Sequence, residues 1–557
     1  MTETYRKPSG GIPGFLRWHY SDTTLRRTSD QVEREKTIGL GPLSMAYNRW
    51  LMFPAAFIFQ AICGSLYAWS VFNNPIDIAM YGGGADGKSP PKHNATITFY
   101  LAVGFFGLSA AINGPWLERV GPRKAALVGT ILFFIGNMVA SIGIHFKIIG
   151  LVYFGYGVIG GSGLGLSYIS PVSALQKWFP DRRGVAAGFA VCGFGAGSIA
   201  LAKVPDPLTA AVGLTNCFIT LGCCYFVIMF ICSLIFRVPP PGFTVNGMDI
   251  YRNKVDENGD VEAFNGDKAA AALRNPASTL SLIDSIFSRE YRLIYLMFFG
   301  NSIAGLVFLS RLANITADIF GKDKATASTI VSINGGFNLA GRLFFSTVSD
   351  RLGRKNSYIF MLTTQVIILA SLPTIMEARN YPAFLALIWI LTACYGGGFG
   401  CIPAFLCDMF GPTNIGALHG IILTAWAIAG VGGGLLFTAI YNNLLGSGYT
   451  VKDAWIYSKN LYWLLGVAAA GMLVVVFVRT SIRDRLTPKV EGEFTRIRFF
   501  GRLIRVGSFG VKFISKEQEE AEWAAYVDSH SQQPSDLQEV KPPHEKYGEK
   551  TELEEVK

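Results

Sequence analysis

A single arginine poses the chemical question. In GRLFFSTVSDRLGRK, residues 341–355, Arg342 precedes Asp350 by eight positions inside an apolar run, a depth of ~12 Å if that run is helical. A cation so deep in hydrocarbon costs at least ~2.5 kcal/mol on insertion scales and normally faces a polar cavity. No Asp or Glu stands at mid-depth in any apolar run to neutralise it, and Arg311 falls near an outer end. The chemistry open to such a residue is non-covalent: reversible capture of an anion, against the competing reading of a structural arginine paired within a helix bundle. Asn338, one helical turn earlier, and Gln60 can hydrogen-bond a carboxylate or bridge helices. Tyr67, Tyr168, Trp389, Tyr395 and Trp426 can wall the same site or pack the bundle.

A second constellation is a doubled loop. ERVGPRK begins at Glu118 and DRLGRK at Asp350, and the same offset of 232 relates Gly121 to Gly353, Pro171 to Pro403, Pro180 to Pro412, Gly184 to Gly416 and Gly188 to Gly420. Prolines and the acidic-Arg-x-Gly pattern in one register indicate duplication of a six-helix unit. An acid in such a loop can satisfy a helix-end dipole and nearby guanidinium groups, in contacts that break at modest cost. The alternative is a set of ordinary anchors of the positive-inside kind.

The elements that must hold these residues are membrane helices. Of 557 residues half are hydrophobic, 62 are glycine and only 16% are charged, far from the average soluble domain. Twelve apolar segments are long enough to cross ~30 Å of hydrocarbon: 50–72, 96–117, 124–145, 149–175, 184–204, 214–236, 291–313, 326–349, 357–376, 382–407, 416–441 and 459–479. The expected fold is an all-α polytopic membrane protein, with 12 transmembrane helices in two pseudo-symmetric six-helix halves. A tail, 1–49, reads as retained rather than as a signal peptide. The halves are 50–236 and 291–479, joined by a polar linker, 237–290, that is helix-compatible over 268–274. A C-terminal tail, 480–557, begins with a basic amphipathic segment, 494–514, suited to an anionic leaflet. Beyond it the acidic, polar chain reads as disordered and solvated, with a cytoplasmic partner for the tail as the alternative.

The net charge of +10 does not imply nucleic acid, because basic residues cluster before the first segment and after the second, fourth, sixth and eighth. That pattern puts these loops and both termini in the cytoplasm. Asn94 and Asn314, each in a glycosylation sequon, then fall outside. The nine cysteines lie inside apolar segments without paired spacing, so they read as packing residues rather than disulfides or metal ligands. The six histidines avoid the middle of every segment, which argues against a buried histidine relay. There is no phosphate-loop motif, no metal-ligand cluster and no sign of a cofactor. Glycine-rich stretches such as GVAAGFAVCGFGAGS and CYGGGFG allow helices to approach and rock, and Pro171 and Pro403 can bend theirs.

The placement of the two loops resembles the signature of the major facilitator superfamily. ICGSLYAWSVF at 62–72, the ERVGPR loop, KWFPDRRGVAAG at 177–188 and NGGFNLAGRLFFSTVSDRLGR at 334–354 together resemble its oxalate/formate antiporter branch, related to monocarboxylate carriers. The resemblance implies a major facilitator fold and an organic anion gripped by Arg342 in an aromatic cage, with Tyr67 and Tyr168 matching best. It also implies a cytoplasmic gate built from Glu118, Arg119, Arg123, Asp350, Arg351 and Lys355. Two departures bear on substrate and coupling. Where the oxalate exchanger has a lysine after Thr-Ala, this chain has Trp426, ~16 Å into its segment. A dicarboxylate would leave one charge without a partner, so a monoanion fits better. Where proton-coupled monocarboxylate carriers have an aspartate, this chain has Asn338, which cannot carry a proton at physiological pH; exchange or uniport is favoured, though Asp77 remains an outer acid. The expected activity is transport without covalent chemistry, in a plasma or organelle membrane. The alternatives are a nutrient sensor that keeps the carrier fold, or a carrier of a flat or hydrophobic metabolite.

Overall fold

The computed structural model describes residues 11–38 except 22, 24 and 26, then 45–82, 94–250, 281–480 and, with short gaps, 484–531. The chain forms two compact units, Met1–Arg252 with Ala277–Thr480, and Asn253–Pro276 with Ser481–Lys557. Most of the linker, including 268–274, lies outside the described residues.

Among the described residues the first unit holds twelve long helices: α1 (Arg49–Ala68), α2 (Thr96–Val120), α3 (Pro122–His145), α4 (Ile149–Trp178), α5 (Arg183–Leu201), α6 (Leu214–Ser233), α7 (Arg289–Asp318), α8 (Lys324–Leu352), α9 (Arg354–Glu377), α10 (Tyr381–Phe410), α11 (Ile415–Gly446) and α12 (Trp455–Phe477). In lipid only a helix or a closed barrel satisfies every backbone group internally. Eleven of the twelve are both long and apolar enough to cross a membrane. The remaining one, α8, is 29 residues long but carries Asn334, Asn338 and Arg342 among serines and threonines. A helix whose polar face is buried by its neighbours loses apolar character for that reason. Beyond Trp69 the chain resumes as a helix over Ser70–Tyr81, so the first crossing extends past the expected limit of 72.

The end of the bundle that carries the turns at Gly121 and Gly353 is here termed proximal. Both glycines adopt a φ of 86°, a region L side chains avoid, which explains why the glycine of each loop is part of the repeat. The halves meet along two seams, α2 against α11 and α5 against α8. Gly184 and Gly188 on α5 make one seam possible: a Cβ at either would stand 2.3 Å from the Ser346 carbonyl oxygen or 2.1 Å from Ser346 Oγ. At the same register on α11, Cβ atoms at Gly416 and Gly420 would meet Glu118 Oε1 at 2.7 Å and the Ala110 carbonyl oxygen at 2.1 Å. Helix Gly11–Ser21 lies on α2, with Tyr20 donating to the Ala111 carbonyl (3.2 Å). A two-residue pairing follows, β1 (Thr37–Ile38) with β2 (Met45–Ala46).

In the second unit the 494–514 segment forms an antiparallel meander, β3 (Glu493–Phe499), β4 (Arg502–Gly507) and β5 (Gly510–Ile514). The alternation of Arg or Lys with Phe, Ile and Leu is a two-residue period, the period of a strand. The acidic stretch after it, expected to be disordered, is helical over α13 (Lys516–Ser531). Ion pairs to the sheet account for that helix: Arg498 bonds Glu519 at 2.5 Å and Asp484 at 2.8 Å, and Arg505 bonds Glu522.

Candidate functional site

α8 turns Asn338 and Arg342, one turn apart, into the interior between the halves, and Arg342 is wholly buried. Close approach of α10 holds this face in place: Cβ atoms at Gly396 and Gly400 would meet the Asn338 and Arg342 carbonyl oxygens at 2.3 and 2.2 Å. Arg342 Nε donates to Asn338 Oδ1 (2.9 Å), and Nη1 donates to the Val191 carbonyl (2.9 Å) and to Tyr168 Oη (3.4 Å). The guanidinium carbon lies 4.8 Å from the Phe399 ring centroid and 5.6 Å from that of Phe194, within cation–π range. These partners are all neutral, and among the described residues no carboxylate pairs with Arg342. A buried guanidinium solvated only by dipoles and ring faces is a site that complements one negative charge.

The walls come from both halves. Tyr67 Oη and Tyr395 Oη share a hydrogen bond of 2.9 Å, and Trp426 Nε1 donates to Tyr395 Oη at 3.1 Å. Trp426 stands edge-on to Phe106 (5.1 Å), Phe399 (6.2 Å) and Tyr67 (6.5 Å). Tyr168 packs against Phe106 and Phe194 at 5.4 Å each. Gln60 is one step removed, its amide donating to the Tyr168 carbonyl (2.9 Å). Of the sequence candidates, Tyr67, Tyr168, Tyr395, Trp426 and Asn338 thus gather around Arg342, with Gln60 behind Tyr168. Trp389 does not join them; it stacks on Phe337 at 5.2 Å. Phe106, Phe194 and Phe399 were not singled out, although the last two sit in the glycine-rich stretches where the seams close.

His419 was also missed. The expectation that histidines avoid the interior holds along the chain but not in space. His419 is in the second turn of α11, fully buried, its ring nearly parallel to Tyr168 (14°, centroids 5.8 Å apart). The start of α11 is itself covered by α2 and α4, so distance from a helix end underestimates depth.

The proximal end carries a reciprocal lock. Glu118, buried at the end of α2, accepts from the Gly416 N–H (2.6 Å) in the first turn of α11, from Ser173 Oγ (3.1 Å) and from Lys177. Asp350, at the end of α8, accepts from the Gly184 N–H (3.2 Å) in the first turn of α5 and from Arg354 (2.5 Å). Each acid therefore meets the partial positive end of a helix in the opposite half. Asp408 adds a further bridge, accepting from Arg183 of the other half (3.0 Å) and from Arg354 (3.1 Å). The basic residues of the two loops behave unequally. Lys355 Nζ closes the end of α12 by donating to the carbonyls of Val476 (2.7 Å) and Val478 (2.9 Å). Arg119 turns to the N-terminal helix, donating to the His19 carbonyl (2.9 Å) and facing the Trp18 ring at 4.6 Å. Arg123 and Arg351 are exposed, so the cations of the lock are instead Lys177, Arg183 and Arg354.

His19 completes the docking of that helix. Its Nε2 meets the Ile112 carbonyl (2.7 Å) and its Nδ1 meets Arg119 (2.8 Å). Burial lowers the imidazole pKa below its usual 6.5; the Ile112 bond opposes the shift and the Arg119 charge adds to it. At the distal end Asp77 accepts from the N–H groups of Asn94 (3.1 Å) and Ala95 (2.9 Å), capping α2. The Asn94 side-chain amide donates to Tyr81 Oη (2.9 Å). The nine cysteines are free thiols, with Cys223 and Cys224 exposed, and among the described residues no group of His, Cys, Asp and Glu could hold a metal ion.

Comparison with known proteins is consistent with this arrangement. The family model described as Major Facilitator Superfamily matches residues 90–434 and 294–516. An uncharacterized MFS-type transporter of Escherichia coli (strain K12), YhjX, is 24% identical over 392 residues, spanning 70% of this chain and 88% of the relative. The oxalate:formate antiporter of Oxalobacter formigenes is 23% identical over 412 residues, spanning 71% and 86%. Among solved structures, the proton:xylose symporter XylE bound to 6-bromo-6-deoxy-D-glucose superposes with a TM-score of 0.58 at 15% identity, covering 77% of this chain and 96% of that one; this likeness concerns the fold.

Proposed function

The chain belongs to the Major Facilitator Superfamily, and on that premise we propose that its cargo is a small organic monoanion, a monocarboxylate, held by Arg342. It is an integral, multi-pass membrane protein and a secondary transporter of small molecules. The observation that carries the finer reading is the buried Arg342, whose hydrogen-bond partners are Asn338, Val191 and Tyr168, all neutral. An anion would supply the missing charge and exchange hydrogen bonds with the Asn338 and Tyr168 groups already there. Trp426, where a second cation would be needed for a dicarboxylate, supports one carboxylate with an apolar or hydroxylated remainder. The similarity to the oxalate:formate antiporter supports an organic anion while leaving that difference.

Movement follows from the lock. With the termini in the cytoplasm, the Glu118–Gly416 and Asp350–Gly184 contacts close the cytoplasmic side. Breaking them while the distal seams close exposes Arg342 to the cytoplasm, which is alternating access by rocking of the two halves. Transport then proceeds by exchange or uniport. A second reading, a flat or hydrophobic metabolite, draws support from the rings of Trp426, Phe106 and Phe399, which offer faces and edges rather than donors.

The test is uptake of labelled formate, lactate, pyruvate and oxalate into proteoliposomes, with matched internal anion or none, for the wild type and Arg342→Gln. Monocarboxylate uptake stimulated by internal anion and lost in the folded variant is expected. Failure of all four anions, or indifference to the substitution, refutes the anion reading and leaves the flat metabolite to be screened.

A further inference from the structure

His419 is the buried polar group that the carrier reading has not used. Its ring is fully enclosed, and neither Nδ1 nor Nε2 has a hydrogen-bond partner among the described residues. A neutral imidazole has one donor and one acceptor to satisfy, and leaving both unmet in a dry interior is costly. The ring stacks on Tyr168 (5.8 Å), and the Tyr168 hydroxyl is in turn 3.4 Å from Arg342 Nη1. One aromatic side chain therefore separates the uncompensated cation from an imidazole, the side chain whose unperturbed pKa lies nearest neutral pH.

We infer that His419 takes up one proton when the anion binds at Arg342, so that a net crossing carries anion and proton together. The inference rests on the monoanion reading and deepens it. Empty, the compartment holds the single charge of Arg342. With an anion on Arg342 and a proton on His419 it again holds one net positive charge, so the loaded and empty carriers cross with equal charge. Nothing is oxidised and no covalent bond to substrate forms; the proton arrives with the anion, rests on a ring nitrogen and leaves with the anion on the far side. Exchange of anion for anion then moves no net proton, whereas uniport becomes electroneutral symport.

The other titratable groups around His419 are already engaged. On α2, Glu118 is held by Lys177, Ser173 and the Gly416 N–H three residues before His419. On α7, Tyr291 donates to the Leu418 carbonyl (2.8 Å) and Tyr295 pairs with Thr424 (2.9 Å). On α10, Tyr395 is bonded to Trp426 and to Tyr67 of α1. Asp284 of the short helix Leu282–Phe287 and Lys459 of α12 are exposed. Asn338, at the position where an acid would carry the proton, is committed to Arg342 Nε.

The direct experiment titrates the purified full chain, in weakly buffered detergent with a pH-indicator dye, with formate, lactate and pyruvate salts at matched pH, while binding is followed by calorimetry. About one proton taken up per anion bound is expected for the wild type, and anion binding without proton uptake for His419→Gln. Binding by the wild type without proton uptake, or equal uptake by His419→Gln, overturns the inference while leaving the monoanion reading intact. No binding of any of the three by the folded wild type overturns the monoanion reading itself. Should His419→Gln not fold, the wild type alone decides in proteoliposomes clamped at zero potential. An inward proton gradient of one pH unit should drive the bound monocarboxylate to about tenfold its outside concentration faster than passive entry of the free acid does in protein-free vesicles, and accumulation no faster than theirs overturns the inference.

Discussion

Substituting Glu118 by Gln should open the proximal end far more than substituting Asp350 by Asn, although the two acids are repeats of one another. The Glu118 and Lys177 side chains are 1% and 8% exposed, whereas that of Asp350 is 28% exposed. Removing one partner of a buried pair costs about 3–5 kcal/mol, because the other charge is left in a dry site. Gln keeps an acceptor for the Gly416 N–H, and Lys177 keeps Ser173 Oγ at 3.1 Å, so the low end, about 3 kcal/mol, applies. The partly exposed Asp350 contact is worth about 1 kcal/mol. The cost falls on the closed arrangement alone, since opening brings water to both groups. A closed state favoured about 99 to 1 would thus become roughly balanced in Glu118→Gln and stay predominantly closed in Asp350→Asn. Spin labels at Arg123→Cys and Arg351→Cys, both exposed at the proximal end, report the separation of the halves by pulsed dipolar spectroscopy. The exposed Cys223 and Cys224 must first be replaced by serine. A long-distance population that grows mainly in Glu118→Gln is expected. Equal shifts in the two variants, or a larger shift for Asp350→Asn, would refute the assignment of the lock's strength to burial.

Other outcomes follow from the same contacts. Arg342→Lys keeps the charge but loses the planar fork that reaches Asn338 and Val191 together, so monocarboxylate uptake should fall at least about tenfold, as for loss of a charged hydrogen bond; uptake within twofold of wild type would contradict the geometry. Gly188→Ala puts a Cβ against Ser346 Oγ, an overpacking worth about 1–3 kcal/mol, and should lower the thermal midpoint in detergent, whereas Gly432→Ala, with open space around it, should not. Docking of the Gly11–Ser21 helix should weaken on acidification. A His19 pKa lowered by docking gives a contribution that is complete above the undocked value of 6.5 and is lost as pH falls through the lower, docked value. Protection of residues 11–21 from hydrogen exchange, taken relative to the intrinsic rate at each pH, should fall between pH 7.5 and 5 in the wild type, and that fall should vanish in His19→Gln.

Arg342 was legible because a charge at mid-depth in an apolar run has few physical excuses, and Asn338 because four residues are one helical turn. Glu118 and Asp350 were legible because the 232-residue repeat singled them out. Arg183, Arg354 and Asp408 were not, since a basic residue at a membrane edge looks alike in sequence whether it is solvated or locked to a partner. Nor could the sequence show that Arg119 serves the N-terminal helix, a contact spanning a hundred residues. His419 was hidden because burial depends on which helices cover a turn rather than on how far along its own helix that turn lies. In the tail, FTRIRFFGRLIRVGSFGVKFI reads as an interfacial segment because its amphipathic composition suits a lipid surface, and the two-residue period that belongs to its strands lies in the same residues. The helix after it depends on arginine partners supplied by the sheet.

The lock also has a history written into it. Glu118 meets Gly416 and Asp350 meets Gly184, so exchanging the halves maps each contact onto the other. That is the property of an isologous interface, in which residue i touches j and j touches i. Two identical six-helix chains, related by a twofold axis along the membrane normal, would have formed both contacts from one sequence. Only after fusion could one copy keep its acid dry with Lys177 and the other leave it partly wet, or one copy place Arg342 where the other has Ala110.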